Sequence, residues 1–274
     1  MTNTISKYIG LIFISLFITS CIDTVDVDLA TAKPRLVIDA AIKWQKGTGG
    51  SEQKIKISRT RGFYENTPTP VTDALVKITD ENNQVFTFID ANADGVYITN
   101  NFQPQLENEY TLSVNVDNRS FKATEKLKSV SSIDSIRQIN DGGFTGEDIE
   151  VKVYYKDPAN IENFYLYTFD VEYLAYPTFS IFDDEFNDGN TIFAYYTEED
   201  LEIGDTLKIR AHGISDTYYN YLEVLLDQAG AAGGPFQTQP ATVRGNIVDQ
   251  DNPEDYIFGY FSLSETDHLD YEIK

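Results

Sequence analysis

The sequence has few of the side chains on which most enzymes and metal sites depend. Its 274 residues include one cysteine and two histidines. A single cysteine forms neither an intramolecular disulfide nor a cysteine-based zinc site, and His212 and His268 have no His, Cys or Glu partner at metal-ligand spacing. No zinc-protease, serine-hydrolase, Walker or dinucleotide fingerprint is present. These absences favour a non-enzymatic protein without a cofactor, in which His212 is a structural histidine of a strand rather than a catalytic one.

Basic residues are also scarce. Lys and Arg total 21 against 44 Asp and Glu, which gives a formal net charge of −23. Such a chain repels phosphate backbones, and no basic stripe offsets the repulsion locally, so nucleic-acid binding is excluded. Anionic lipid headgroups would repel it equally. Any attachment to a membrane must therefore come from something other than charge.

The first residues offer such an attachment. Lys7 precedes an apolar run, Tyr8 to Ile18, which at 1.5 Å per residue spans only about half of a ~30 Å hydrocarbon core. The run is followed by Thr19-Ser20-Cys21, and Ile18 to Cys21 resembles the lipobox of bacterial lipoproteins. The resemblance implies a signal peptide over residues 1–20 and a lipidated Cys21, since a diacylglycerol thioether and an amide-linked chain together hold a protein stably. An ordinary signal peptide with a chance cysteine is the alternative.

The residues after the cysteine bear on where the protein is sorted. Ile22 stands where enterobacterial lipoproteins retained in the inner membrane have Asp, so the resemblance implies the outer membrane, with possible exposure at the cell surface. Residues 21–32 then read as an acidic tether, either a plain linker or an outward-sorting signal.

The remaining chain is predicted to be mainly β. Hydrophobic residues make up 41% and aromatics 13%, with 18 Tyr and 17 Phe, which suits packed pleated sheets. About seven short runs with turn residues between them, including a hairpin around Asp80–Asn83 and a turn at Asp117-Asn118, predict a β-sandwich over residues 33–129. The runs Val71–Ile78, Asp94–Tyr97 and Glu109–Val114 resemble the prealbumin-like fold of carboxypeptidase regulatory domains, which are generally non-catalytic.

One segment of this domain has a possible metal motif. Asp90, Asn92, Asp94 and Gly95 fit the first half of a calcium loop, but Asn101 stands where a bidentate Glu is needed. A polar turn that leads into the next strand explains the same residues better.

A second β-rich domain is predicted over residues 130–274. Strands are expected at 149–155, 164–174, 191–196, 206–211 and 256–262, and a helix at 216–228 with Ser215 or Asp216 as its cap. Its buried stripe would comprise Tyr218, Tyr221, Leu222 and Leu225. Residues 229–240, rich in Gly, Ala and Pro, are expected to form a loop.

Two groups of side chains in this domain are candidates for binding a ligand, a partner or a cation. Aromatic residues around Pro177 and the acidic loop fall outside a clean strand period, and with the long loop they are candidates for ligand or partner contact: Tyr176, Phe179, Phe182, Phe186, Pro235 and Phe236. Core packing is their alternative. The cluster Asp183, Asp184, Glu185 and Asp188 could hold a hard cation or serve a paired-carboxylate hydrolase, with a solvated loop as the plainer interpretation.

The order of several motifs resembles one family. These are Pro34–Asp39, Tyr219–Leu222, Gly234–Pro240, Val243–Ile247 and Gly259–Ser262. With the lipobox and the tether they resemble the Bacteroidota lipoprotein family known as domain of unknown function 4249, over nearly all of the chain. Its members are typically encoded beside TonB-dependent outer-membrane receptors. The resemblance implies an accessory or ligand-binding partner of such a transporter in nutrient uptake, with no ligand named. A surface hydrolase that uses the acidic loop, and a structural or adhesion subunit, remain as alternatives.

Overall fold

A computed structural model describes residues 33–62, 67–144, 146–230 and 243–274. The predicted signal peptide and tether, with Cys21, lie outside the described residues, as do Pro235 and Phe236. Residues Pro34–Lys274 form one compact unit.

Alternating apolar and polar residues produce eight strands in the first half of the unit. They are β1 (Leu36–Gln45), β2 (Gln53–Arg59), β3 (Thr69–Pro70), β4 (Leu75–Asp80), β5 (Val85–Phe88), β6 (Val96–Thr99), β7 (Glu109–Val116) and β8 (Arg119–Lys126). The predicted turn between β7 and β8 is confirmed, because Asp117 and Asn118 both have positive φ, 53° and 58°, as a two-residue hairpin requires. The short β3 pairs with β2.

The second half contributes eight more strands and one helix. They are β9 (Ile133–Gly142), β10 (Asp148–Lys156), β11 (Phe164–Asp170), β12 (Thr178–Asp183), β13 (Thr191–Thr197), β14 (Thr206–Ile214), α1 (Asp216–Gly230), β15 (Val248–Asp249) and β16 (Phe258–Glu272). The mainly β fold with one helix is therefore confirmed. The strand predicted over 164–174 ends earlier, at Asp170, and β9 and β12 were not predicted.

The strands form three sheets. The largest has the order β12-β11-β14-β16-β1-β2-β3, with β6 also paired to β2; the others are β13-β10-β9 and β15-β8-β7-β4-β5. At the centre of the largest sheet, β16 runs parallel to β1, from Val37 opposite Phe258 to Gln45 opposite Thr266. The last strand therefore joins the first strand edge to edge.

The described residues form two large hydrophobic cores and a small third cluster beneath α1. Most residues of the first core come from β1, β2 and β4–β8, up to Leu127. Four residues near the end of the chain complete it: Ile247, Ile257, Phe261 and Leu263. The second begins at Val130 and contains Tyr155, Tyr165, Tyr167, Phe169 and Tyr196. Each such side chain contributes on the order of 2 kcal/mol by burial. Along the chain, the change from the first core to the second thus falls close to the predicted domain boundary. The division into two domains at 129/130 stays a prediction.

The helix α1 starts at the cap that its sequence suggests. The amide of Tyr218 donates to Oγ of Ser215 at 3.1 Å, so Ser215 rather than Asp216 is the N-cap residue. Leu222 packs with Leu166 and Ile214 of the sheet, and the rings of Tyr218 and Tyr221 pack at a tilt against the ring of Tyr260. The placement of Leu225 in the buried stripe is wrong, since its side chain is 38% exposed.

Candidate functional site

The four described aromatic residues that were predicted to contact a ligand or partner, Tyr176, Phe179, Phe182 and Phe186, do not lie on one surface. Phe179 and Phe182 belong to β12, where they pair with Thr168 and Tyr165 of β11, so their assignment to a loop is wrong. Three positions apart in a strand, their side chains take opposite faces. Phe182 packs edge-on against Tyr167, with ring centroids 6.0 Å apart, which is the core-packing alternative.

Tyr176 and Phe186 are the two most exposed members of this set. They are 82% and 85% exposed, respectively, and Phe179 is 44% exposed. Tyr176 lies before β12 and Phe186 after it, so a six-residue strand of about 20 Å separates them. The two most exposed aromatic side chains are therefore separate and do not form one patch.

The possible calcium loop is a hydrogen-bonded turn. The carboxylate of Asp90 accepts from the amides of Asp94 and Gly95 at 3.2 and 2.9 Å, and Asp94 accepts from Val96 at 3.0 Å. Gly95 has a φ of 78°, and a Cβ there would lie 2.6 Å from the carbonyl oxygen of Ile57. These contacts position β6 against β2, and they agree with the polar-turn interpretation of Asp90, Asn92 and Asp94.

A group of three carboxylates forms a different acidic site. Oxygen atoms of Asp157, Asp184 and Asp188 all lie within 4.8 Å of one another. Asp184 and Asp188 were among the predicted acidic residues, whereas Asp183 turns away and accepts from the hydroxyl of Tyr219 at 3.1 Å. Asp157, which follows β10, was missed. Its position two residues after Tyr155, on the same side of the alternating strand, was the available signal.

Each carboxylate of this acidic site holds two loops together. Loop 157–163 joins β10 to β11, and loop 184–190 joins β12 to β13. Asp157 accepts from the amide of Gly189 at 2.9 Å, Asp188 accepts from the amide of Asn160 at 2.7 Å, and Asp184 accepts from the amide of Asn163 at 3.0 Å.

The acidic site is buried without a basic partner. Asp157 and Asp184 are 1% and 4% exposed, so the expectation of a solvated loop is wrong for Asp184. Among the described residues, no ion pair includes Asp157, Asp184 or Asp188. The ammonium group of the nearby Lys156 instead donates a hydrogen bond to the carbonyl oxygen of Gly189. Two buried carboxylates and a third beside them therefore concentrate negative charge, which proteins normally pair or coordinate.

Two tyrosines of the second core lie against this charge. The hydroxyl of Tyr165 donates to Oδ1 of Asp157 at 2.6 Å. Tyr155 contacts the ring of Tyr165 edge-on, at 4.9 Å between centroids, and its fully buried hydroxyl finds no hydrogen-bond partner in the part of the chain that the structure describes. Burial raises the pKa of Tyr155, and the negative charges of Asp157 and Asp184 raise it further. The phenol is therefore neutral and near both carboxylates.

A surface pocket of about 360 Å³ opens beside the acidic site. Asn160, Ile161 and Phe164 line one part of it, and Asp183, Asp184 and Asp188 another. The arrangement is oxygen-rich and anionic, and it suits a cation or a positively charged group.

The two histidines lie apart from this pocket. His212 is buried in β14, and no described residue forms a hydrogen bond with its Nε2 atom. Burial, with the positive charges of Lys43 and Arg210, lowers the pKa of His212 to about 3. The imidazole is therefore neutral at pH 7, as a structural histidine would be.

No helix among the residues that the structure places is long and apolar enough to cross a membrane.

Comparison with known proteins gives one family. The profile described as "Domain of unknown function (DUF4249)" matches residues 22–269. No curated protein matches the sequence.

Solved structures similar to this chain include three of low identity. A two-domain fibronectin type-III segment of chicken tenascin is 11% identical, with 66% of this chain and 91% of that chain covered and a TM-score of 0.22. A DUF4785 family protein of Legionella pneumophila is 11% identical, with coverages of 65% and 52% and a TM-score of 0.26. A chain of a cytokine receptor complex is 7% identical, with coverages of 65% and 82% and a TM-score of 0.25.

Proposed function

The chain belongs to the DUF4249 family, and we propose that it is a lipid-anchored protein of the bacterial outer membrane that binds a partner and catalyses no reaction. The anchor is the lipobox cysteine, Cys21. With a net charge of −23 the folded part would be repelled by anionic headgroups, so attachment requires the acyl chains.

The observation that carries the binding role is the exposure of Tyr176 and Phe186. Large aromatic side chains at the two ends of β12 are 82% and 85% exposed on an otherwise highly charged body. Rigid aromatics are enriched at the centres of protein interfaces, where each buries a large area for a small loss of conformational entropy. The partner that the family resemblance suggests is a TonB-dependent outer-membrane receptor, and the role is accessory to nutrient uptake.

The hydrolase alternative is less well supported by the same residues. A paired-carboxylate hydrolase needs two carboxyl groups free to face a substrate. Asp183 and Asp184 instead accept hydrogen bonds from Tyr219 and Asn163, which fixes them as parts of the scaffold. Loss of a measured hydrolytic activity in D183N and D184N variants that still fold would favour the hydrolase over binding.

The anchor is tested by metabolic labelling with an alkyne fatty acid in the native host. We expect label on the wild-type protein in the outer-membrane fraction, and neither label nor membrane association for Cys21→Ala. An unacylated mature protein, or one that starts at another residue, would contradict the anchor.

The partner is tested by cross-linking in cells, purification in detergent and mass spectrometry. We expect a TonB-dependent receptor to co-purify, and Phe186→Ala or Tyr176→Ala to reduce its recovery. Phe144→Ala is the matched control, because Phe144 is also fully exposed but lies in the turn between β9 and β10. Repeated recovery of other envelope proteins without a receptor would instead support the structural or adhesion alternative.

A further inference from the structure

The acidic site contains more negative charge than its surroundings neutralise. Asp157 and Asp184 are buried, Asp188 lies beside them, and in the described part of the chain no ion pair reaches any of the three. Buried carboxylates of this kind are stable when a cation shares their oxygens, since desolvation and mutual repulsion otherwise oppose folding.

A second observation points to a ligand at the same place. The hydroxyl of Tyr155 is fully buried and has no hydrogen-bond partner among the described residues, although buried hydroxyls are nearly always paired. Tyr155 and Asp157 project from the same side of β10, and the ring of Tyr155 contacts Tyr165, whose hydroxyl bonds Asp157. The unpartnered oxygen of Tyr155 thus belongs to the side of β10 that carries Asp157, and the charges of Asp157 and Asp184 act on it.

The donor set indicates the class of ion. All four groups offer oxygen, which hard cations prefer, and none offers nitrogen or sulfur. Oxygens on opposite sides of a Ca²⁺ ion lie about 4.6–5.2 Å apart, and the carboxylate oxygens here lie within 4.8 Å of one another. Three carboxylates from two irregular loops also suit calcium better than magnesium, which keeps most of its water and binds one or two carboxylates.

The geometry points to a binding site for one divalent cation of the calcium class, formed by the carboxylates of Asp157, Asp184 and Asp188 with the hydroxyl of Tyr155. The ion would tie loop 157–163 to loop 184–190 and so order the wall of the adjoining pocket and the chain that carries Phe186. This site is independent of the lipid anchor and of any partner.

Terbium luminescence tests the site directly. Tb³⁺ replaces Ca²⁺ at oxygen sites and emits when a nearby tyrosine is excited, and Tyr155 and Tyr165 lie at this one. With the full-length protein purified in detergent and treated with EDTA, we expect sensitised Tb³⁺ emission that micromolar to millimolar Ca²⁺ displaces. We also expect Ca²⁺ to raise the thermal unfolding midpoint.

Variants locate the ion. Asp188→Asn removes one charge at an exposed position that tolerates change, and we expect it to weaken Ca²⁺ binding by on the order of tenfold or more. Asp184→Asn should weaken it as well, with circular dichroism to confirm folding. Tyr155→Phe should reduce Ca²⁺ affinity while leaving the unfolding free energy in EDTA unchanged or higher, because the hydroxyl that it deletes has no partner.

Asp94→Asn is the matched control, since it alters the turn at Asp90–Gly95 and should leave Ca²⁺ binding unchanged. Absence of binding at millimolar Ca²⁺, binding that is insensitive to D188N, or loss of binding in D94N would each overturn the proposal. Tighter binding of Mg²⁺ than of Ca²⁺ would overturn its assignment to the calcium class. All of these outcomes are measured on the purified protein, without acylation or co-purification as a readout, so failure here is distinct from failure of the proposed function.

Discussion

His212 shows how a single buried side chain makes stability depend on pH. Its pKa falls from the ordinary value of 6.5 to about 3, mainly through burial and then through the charges of Lys43 and Arg210. Between those two values the unfolded chain binds a proton that the folded chain does not, so stability is lost as the pH falls. The contribution is fully present above about pH 6.5.

We therefore expect the free energy of unfolding to fall by about 2 kcal/mol more in the wild type than in the His212→Gln variant when the pH is lowered from about 7 to about 5. Urea unfolding at the two pH values measures the difference. His268→Gln, which replaces a histidine at an exposed position, is the matched control. Equal losses in the wild type and H212Q would show that the buried imidazole is protonated or rearranged.

The acidic site marks the limit of what sequence predicts at the residue scale. Asp184 and Asp188 were recognisable as part of an acidic run, but nothing local distinguishes Asp184, which is buried, from Glu185, which is exposed. Asp157 joins them only because β10, β11 and β12 bring two distant loops together. Long-range pairing of this kind leaves no periodic trace in the sequence.

Elements with local signals were predicted well. The hairpin of β7 and β8 follows from its Asp-Asn turn, and α1 follows from its stripe of tyrosines and its cap. The edge strand β12 was missed because Phe179, exposed on one face, and Phe182, half-buried on the other, do not alternate with polar residues as a half-buried strand should. Its pairing with β11 outweighs the weak local pattern.

The cap of α1 connects the helix to the first core. Ser215 accepts from the amide of Tyr218 and donates to the buried carboxylate of Glu125 at 3.0 Å. The same carboxylate accepts from the hydroxyl of Tyr260 at 3.3 Å, and burial raises the pKa of Glu125. One hydroxyl therefore serves both a helix end and a buried acid.

We expect Ser215→Ala to destabilise the protein by about 2–3 kcal/mol, since it removes the cap and leaves Glu125 with one donor fewer. Denaturant unfolding followed by circular dichroism measures the loss. Ser215→Thr keeps the hydroxyl and should lower the free energy of unfolding by less than half as much. Ser51→Ala, at an exposed position, should leave the free energy of unfolding almost unchanged. A loss below about 0.5 kcal/mol for S215A would mean that water replaces the hydroxyl.

At the scale of the whole molecule, β16 contributes to both cores. Phe261 and Leu263 pack in the first core, Tyr271 packs against the second, and Ile273, the residue directly after the strand, is buried in the second. The connecting chain is fixed to the same strand, because the amides of Val130 and Ile133 donate to Glu265 and Asp267 at 3.0 and 2.9 Å. A Cβ on Gly213 of β14 would meet the carbonyl oxygen of Ser129 at 1.8 Å, so this chain also lies directly on the sheet.

These contacts could not be read from the sequence. No tight turn connects two strands that pair in parallel, so no local turn motif predicts the pairing of the first strand with the last. The closing strand itself was expected only over 256–262. They also bear on the predicted division at 129/130, because a first domain that ended there would lack Ile247, Ile257, Phe261 and Leu263 of its own core.

The single tryptophan allows a test of whether the two cores unfold together. Trp44 packs against the first core, whereas Val151 is fully buried in the second. Val151→Ala should cost about 2 kcal/mol by creating a cavity in the second core. If β16 couples the cores, the urea midpoint seen by Trp44 fluorescence falls by as much as the midpoint seen by far-ultraviolet circular dichroism. Val85→Ala, at an exposed site, should shift neither. A Trp44 transition that V151A leaves in place would show instead that the cores unfold separately, as two domains divided at 129/130 would.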